Sequence, residues 1–210
     1  MKNMAVPPAL ILVLTLVLTA CVQAPVRSMP TGAESAWQAR QATLAAVSAW
    51  ALAGRIAAHN GAAMEGAIGG AAISVNAILH WAQQADDYSI DVIAPFGQAM
   101  RLEGRDGGVV ARLPDGRQIS AANPDVLLYE STGLRLPMSS LRFWVRGMPA
   151  PTSVVHKALD DAGRPLWLEQ SGWRVEFLRY TQVNGLDLPD KLVITQPPMH
   201  LRLVVDRWDL

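Results

Sequence analysis

Apolar and polar residues alternate with a period of two through most of the chain, as expected of strands that bury one face. The pattern is cleanest in the stretch 88–104. Tyr88, Ile90 and Val92 alternate with Ser89 and Asp91, and Met100 and Leu102 alternate with Arg101 and Glu103. Pro95 and Gly97 lie between the two runs, so the stretch predicts a hairpin. The same periodicity predicts strands over 50–56, 75–81, 109–113, 117–119, 166–170, 173–177, 191–194 and 201–208. Turn residues separate them at 83–87, 106–108, 114–116, 161–163, 171–172 and 184–185, the regular spacing of an antiparallel all-β sheet or barrel.

Three segments change to a helical period. Trp37, Leu44 and Val47 share a weak apolar stripe and predict a helix over 34–47. Asn123-Pro124 offers a cap followed by proline at the first helical position, with Gly133 placed to end the helix. A second short helix is predicted over 139–146, with Ser139 as candidate cap, Gly147 as stop, and Leu141, Trp144 and Val145 on its apolar face. So few helices cannot cover so much strand. Either the sheet closes on itself or its inner face lines a cavity.

The turn of the central hairpin carries Phe96, where a water-exposed tip favours Asn, Asp or Ser. A ring there either folds back onto its own domain or has a partner elsewhere. Half of the 210 residues are hydrophobic, seven are Trp, and 18 basic groups balance 18 acidic ones. Length and composition point to one domain with a substantial apolar interior, and zero net charge gives no support to a nucleic-acid partner. His59, His80, His156 and His200 are scattered and lack metal-type spacing, so no metal site is expected. Asp86-Asp87 and Asp160-Asp161 fall in predicted turns and are read as turn formers. With no GxSxG, Walker A or GxGxxG motif, no catalytic residue is assigned and a non-enzyme without a cofactor is expected.

The N-terminus reads as an address. Lys2 precedes an apolar run over 9–18, too short to span a bilayer and ending in small residues, the layout of a secretory signal. Leu18-Thr19-Ala20-Cys21 resembles the lipobox of bacterial lipoproteins, whose Cys is acylated and becomes the mature N-terminus; Cys21 is the only cysteine in the chain. The expected organisation is a signal peptide over 1–20, a lipidated flexible tether over 21–33 and one domain over 34–210. Val22 follows the Cys, where Asp would signal inner-membrane retention, so the outer membrane is the expected destination.

Taken together, several motifs resemble one family, LolB. They are the lipobox, Trp37, Gly54-Arg55, the strand ending at Trp81, the strand from Tyr88 to the Pro95-Phe96-Gly97 tip, and Leu136-Pro137 through Ser140-Leu141-Arg142 and Trp144 to Gly147 and Pro149. Gln170-Ser171-Gly172-Trp173, Leu188-Pro189 and Trp208 complete the set. The string LPxxSLRxWxxGxP is the most specific of these. The resemblance implies an incomplete antiparallel β-barrel, a half-barrel, enclosing an apolar cavity with helices capping its opening. It implies an outer-membrane acceptor, lipid-anchored in the periplasmic leaflet, that takes acylated lipoproteins from a LolA-like periplasmic carrier and places them in the membrane as a monomer. It makes Cys21 the lipid anchor and Phe96, where Leu is more usual, the membrane-contacting tip. On this reading Leu79, Trp81, Tyr88, Ile90, Val92, Met100 and Leu102 line the acyl cavity beneath Leu141 and Trp144. The alternatives are an anchored lipid-binding protein or structural outer-membrane lipoprotein without a delivery role, and a hydrolase.

Overall fold

A computed structural model of the chain describes residues 31–61, 73–97, 99–151 and 155–210. Helix α1 (Thr31–Ala45) opens it, followed by strands β1 (Ala49–Asn60), β2 (Ile73–Gln84), β3 (Asp87–Ile93), β4 (Ala99–Arg105), β5 (Gly108–Arg112) and β6 (Gln118–Ala121). Helices α2 (Pro124–Thr132) and α3 (Met138–Trp144) come next. Strands β7 (His156–Leu159), β8 (Pro165–Gln170), β9 (Trp173–Val183), β10 (Leu186–Gln196) and β11 (Met199–Asp209) close the chain.

All eleven strands form one sheet in the order β6-β5-β4-β3-β2-β1-β11-β10-β9-β8-β7. Each half of the chain is a meander, and the antiparallel pairing of β1 with β11 joins them at the centre. Among the described residues β6 and β7 have no further strand partner and remain as edges, so the barrel is incomplete. Two-residue turns with positive φ at both positions, Asp106-Gly107, Ser171-Gly172 and Asn184-Gly185, connect consecutive strands as their sequences predict.

Several boundaries differ from the sequence expectation, each for a physical reason. α1 begins at Thr31, inside the expected tether, with Ala33 buried, and ends at Ala45 rather than 47. β9 and β10 run well beyond the predicted 173–177 and 191–194. Pro189 argues against a central strand, yet β10 pairs with β11 only from Lys191 onward, and its register with β9 shifts between Pro189 and Lys191. The short edge strand β7 carries too few alternations to predict. α3 runs over Met138–Trp144, and Ser139 is not its side-chain cap. The Asp125 carboxylate in the first turn of α2 instead accepts bonds from the Ser139 backbone N–H and hydroxyl, at 3.2 and 3.3 Å. α2 itself is capped as predicted, with Asn123 Oδ1 accepting from the Asp125 N–H at 2.8 Å and Gly133 left-handed at the C-terminus.

Tertiary contacts fix the helices against the sheet. The buried Arg146 guanidinium donates to the Leu44 and Val47 carbonyls, both at 3.1 Å, holding the end of α1 without a carboxylate. Burial lowers the Arg146 pKa, and the nearby Arg142 charge adds to that shift. Gly54 sits at a register shift in β1, where a Cβ would lie 2.2 Å from the Val204 carbonyl oxygen, so a side chain is excluded by close approach of β11. Trp50 packs between Trp81 and Trp208, at ring separations of 5.3 and 5.6 Å.

A buried amide locks α3 to β8. The Gln170 Oε1 accepts from the Trp144 indole N–H and the Ala150 backbone N–H, both at 2.9 Å, while its Nε2 donates to the Ala150 carbonyl at 2.7 Å. Gln170→Leu keeps the volume but leaves three buried polar groups unpaired, and should cost about 2–4 kcal/mol. Urea unfolding of the variant checks this; a loss under about 0.5 kcal/mol would show that those groups find other partners.

Candidate functional site: an apolar cavity and an exposed tip

The concave face of the β1–β4 half and the facing part of β10 and β11 carry Ile56, Leu79, Leu102, Ile194 and Leu203. The helices α2 and α3 and their connector face them with Leu128, Leu136 and Leu141. These surfaces do not meet: between them is a cavity of about 360 Å³. Among its described lining residues only Ser131 and Thr132 carry hydroxyls, and the Trp81 indole N–H is the one other polar side-chain group. Both hydroxyls donate within their own helix, to the Leu127 and Leu128 carbonyls at 2.8 and 2.7 Å. The wall therefore suits hydrocarbon and offers little to a charged or strongly polar ligand. No group of three or more potential metal-ligating side chains occurs among the described residues.

The structure brings seven of the candidate cavity residues onto this wall: Leu79, Trp81, Ile90, Val92, Met100, Leu102 and Leu141. It places Trp144 elsewhere. The ring is fully buried against Trp173, 6.3 Å between centroids, because its indole N–H turns toward Gln170. Tyr88 shares the sheet face but is not among the lining residues; its ring packs over Gly104, where a Cβ would come within 2.2 Å of the ring. Its buried hydroxyl has no hydrogen-bond partner among the described residues. Burial, reinforced by the Asp125 charge and opposed by Arg142, pushes the phenol up to about 12, so it stays neutral at physiological pH. Sequence reasoning missed the wall contributed by Leu134, Leu136 and Met138, which lie at and between helix ends and show no clear period. Trp81 is the one tryptophan on the wall, and its indole N–H is satisfied by Gln83 at 3.1 Å.

Helices α2 and α3 cover the cavity as a unit. Asp125 couples one to the other, and Arg142 of α3 reaches Asp86 in the β2–β3 turn at 2.7 Å. The far end of the β3–β4 hairpin ends in Phe96, whose ring is fully exposed (103%) and whose backbone is left-handed, φ 70° and ψ 18°. A bulky residue in that conformation is strained. Below it, the bidentate pair of Arg101 with Asp91 ties the two strands together. The fold-back alternative for the ring does not occur.

Residues 48–208 match the family model described as outer membrane lipoprotein LolB. The chain belongs to the LolB family. The outer-membrane lipoprotein LolB of Pseudomonas putida strain F1 is 36% identical over 173 residues, spanning 82% of this chain and 80% of that protein. The Nitrosococcus oceani LolB is 34% identical over 204 residues, 96% of each. A solved structure of a DUF1329 family protein from Desulfovibrio piger shares the fold, with a TM-score of 0.50 at 8% identity over 84% of this chain and 92% of that one.

The LolB-like motif residues acquire physical roles. Trp144 and Gln170 belong to one hydrogen-bonded node, Trp208 donates its indole N–H to the Pro189 carbonyl at 3.0 Å, and Leu136 and Leu141 sit on the cavity wall. Val92 is only partly buried because it borders the open space. Val92→Trp should fill part of the cavity and weaken binding of an aliphatic fluorescent probe about tenfold. Because the ring enters empty space, unfolding free energy should change by less than about 1 kcal/mol. Unchanged probe affinity in a folded variant would place the binding site elsewhere.

Proposed function

We propose that the cavity of this LolB-family protein receives the acyl chains of lipoproteins passed on by a LolA-like periplasmic carrier, and that the Phe96 tip directs their release into the outer membrane. The observation that carries this reading is the unfilled apolar cavity under α2 and α3. Each methylene left in water costs roughly 0.8 kcal/mol, so acyl chains must be sheltered at every stage of transit. Transfer then runs downhill, from a weaker carrier site to this cavity and on to the bilayer. No covalent step is required, and the protein acts as a monomer.

Cys21 and the rest of the N-terminal segment lie outside the described residues. We assign Cys21 as the lipidated mature N-terminus, with residues 1–20 removed and the domain tethered on the periplasmic leaflet. Mass spectrometry of protein extracted from membranes should find an acylated Cys21; an unmodified N-terminus or a retained signal would overturn the assignment.

Phe96 separates delivery from lipid holding. Burying a Phe-sized side chain is worth roughly 1.5–3 kcal/mol, enough to orient a tethered domain on a bilayer but not to anchor one. Phe96→Glu should leave folding and uptake from the carrier intact while slowing transfer to liposomes, because a carboxylate resists entry into lipid. Phe96→Gly fits the left-handed backbone better and should not lower stability, yet should impair the same step. The assay follows transfer from carrier to this protein and then to liposomes. Wild-type rates at both stages would leave an anchored lipid-binding protein without a delivery role.

A further inference from the structure

The convex face of the sheet beside the tip carries a second apolar surface, on the side opposite the cavity. Ile78 is exposed (49%) in the middle of β2. Ladder registers place it next to Ile93 on β3 and Arg55 on β1, and place Arg55 next to Val204 on β11. A shallow groove of about 400 Å³ runs along this row and reaches Pro95, the residue before Phe96. A shallow, largely apolar strip thus runs from Pro95, beside the exposed ring, onto the flank of the barrel, with Arg55 between Ile78 and Val204.

The charges around it are unevenly balanced. Arg55 is paired with Asp206 at 2.9 Å, Arg179 with Asp190 at 2.8 Å, and Arg174 with Glu176 at 3.0 Å, and Asp91 is held by Arg101, so the acids nearest the strip are occupied. Arg202, which lines the groove, and Lys191, opposite Val204, have no ion-pair partner among the described residues. An apolar strip bordered by uncompensated cations matches the chemistry of an anionic bilayer surface, where apolar side chains enter the acyl boundary and cations remain with the headgroups.

We infer that this flank is a second membrane-contact surface, in which Ile78, Ile93 and Val204 lie against the bilayer while Arg202 and Lys191 bind anionic phospholipid headgroups. The inference rests on the reading that the Phe96 tip meets the membrane, and extends it from a point contact to an oriented face. The tip alone leaves the domain free to swivel about one ring; a tip plus a flank fixes which way the cavity faces during release.

The mature, membrane-extracted protein in liposomes tests this, because acylation of Cys21 leaves a single introduced thiol available for labelling. Asn76→Cys, in the groove, reports on the flank, and Ala99→Cys, opposite Ile93 at the end of the strip nearest the tip, reports on the hairpin. With an environment-sensitive fluorophore, both sites should shift to the blue in vesicles of phosphatidylcholine mixed with phosphatidylglycerol. Pure phosphatidylcholine vesicles, or the Arg202→Glu/Lys191→Glu background, should abolish at least half of the shift at position 76 and spare that at 99. A shift at 99 without one at 76 overturns the flank contact and leaves the tip reading standing. No shift at either site overturns both. A shift at 76 indifferent to lipid charge and to the double reversal overturns the headgroup role of the two cations.

Discussion

One buried amide fixes the helical segment against one half of the sheet. Gln170 satisfies the Trp144 indole and both backbone groups of Ala150, holding the end of α3 and the chain after it against β8 and β9. Leaving any of those groups unpaired in the interior would be costly, so the helical segment has little freedom on that side. The β7–β10 half is consequently filled by Trp144, Trp173 and Phe177. The β1–β4 half receives the other side of the helices, and there the fit is incomplete. The cavity is the space between the helical segment and the strands of that half.

That arrangement reconciles stability with an empty interior. A cavity in a tightly packed core loses dispersion contacts and destabilises the fold. Here the wall belongs to long, hydrogen-bonded strands whose positions do not depend on filling, and to a helix pair tied by Asp125 and anchored through Arg142 to Asp86. The Asp86 contact is highly solvent-exposed, with the acid's side chain 90% accessible, so it contributes little to stability. The helical segment is thus held by buried hydrogen bonds at Gln170 and by an exposed ion pair at Asp86.

The two surfaces that face outward from this scaffold differ in kind from the cavity. Phe96 is presented by a short hairpin whose backbone is strained at the tip and braced below by Arg101 and Asp91, so its exposure is built in. The flank beneath it lies on the opposite face of the same strands that line the cavity. Period-two alternation therefore places a hydrocarbon-binding wall and an outward apolar strip on one pair of strands, Ile78 and Ile93 alternating with Leu79 and Val92.

Much of this was legible in the sequence because strand alternation, turn residues and helix caps are local. The hairpin 88–104, the Asn123 cap, the paired positive-φ turns and seven of the cavity residues follow from spacing of 2 or 3.6 and from turn chemistry. The family resemblance rested on motif residues whose contacts are not local, and sequence alone gave them no mechanism. Only the tertiary structure decided that Trp144 turns away from the cavity, because its indole seeks an acceptor 26 residues away. It likewise decided that Ser139 is capped by Asp125 from another helix, and that Pro189 is tolerated where β10 has left β11. Whether the sheet closes was beyond local pattern altogether. Alternation specifies which face of each strand is apolar, but the gap between β6 and β7 is set by strand order and by what the helices fill, and those are properties of the assembled chain.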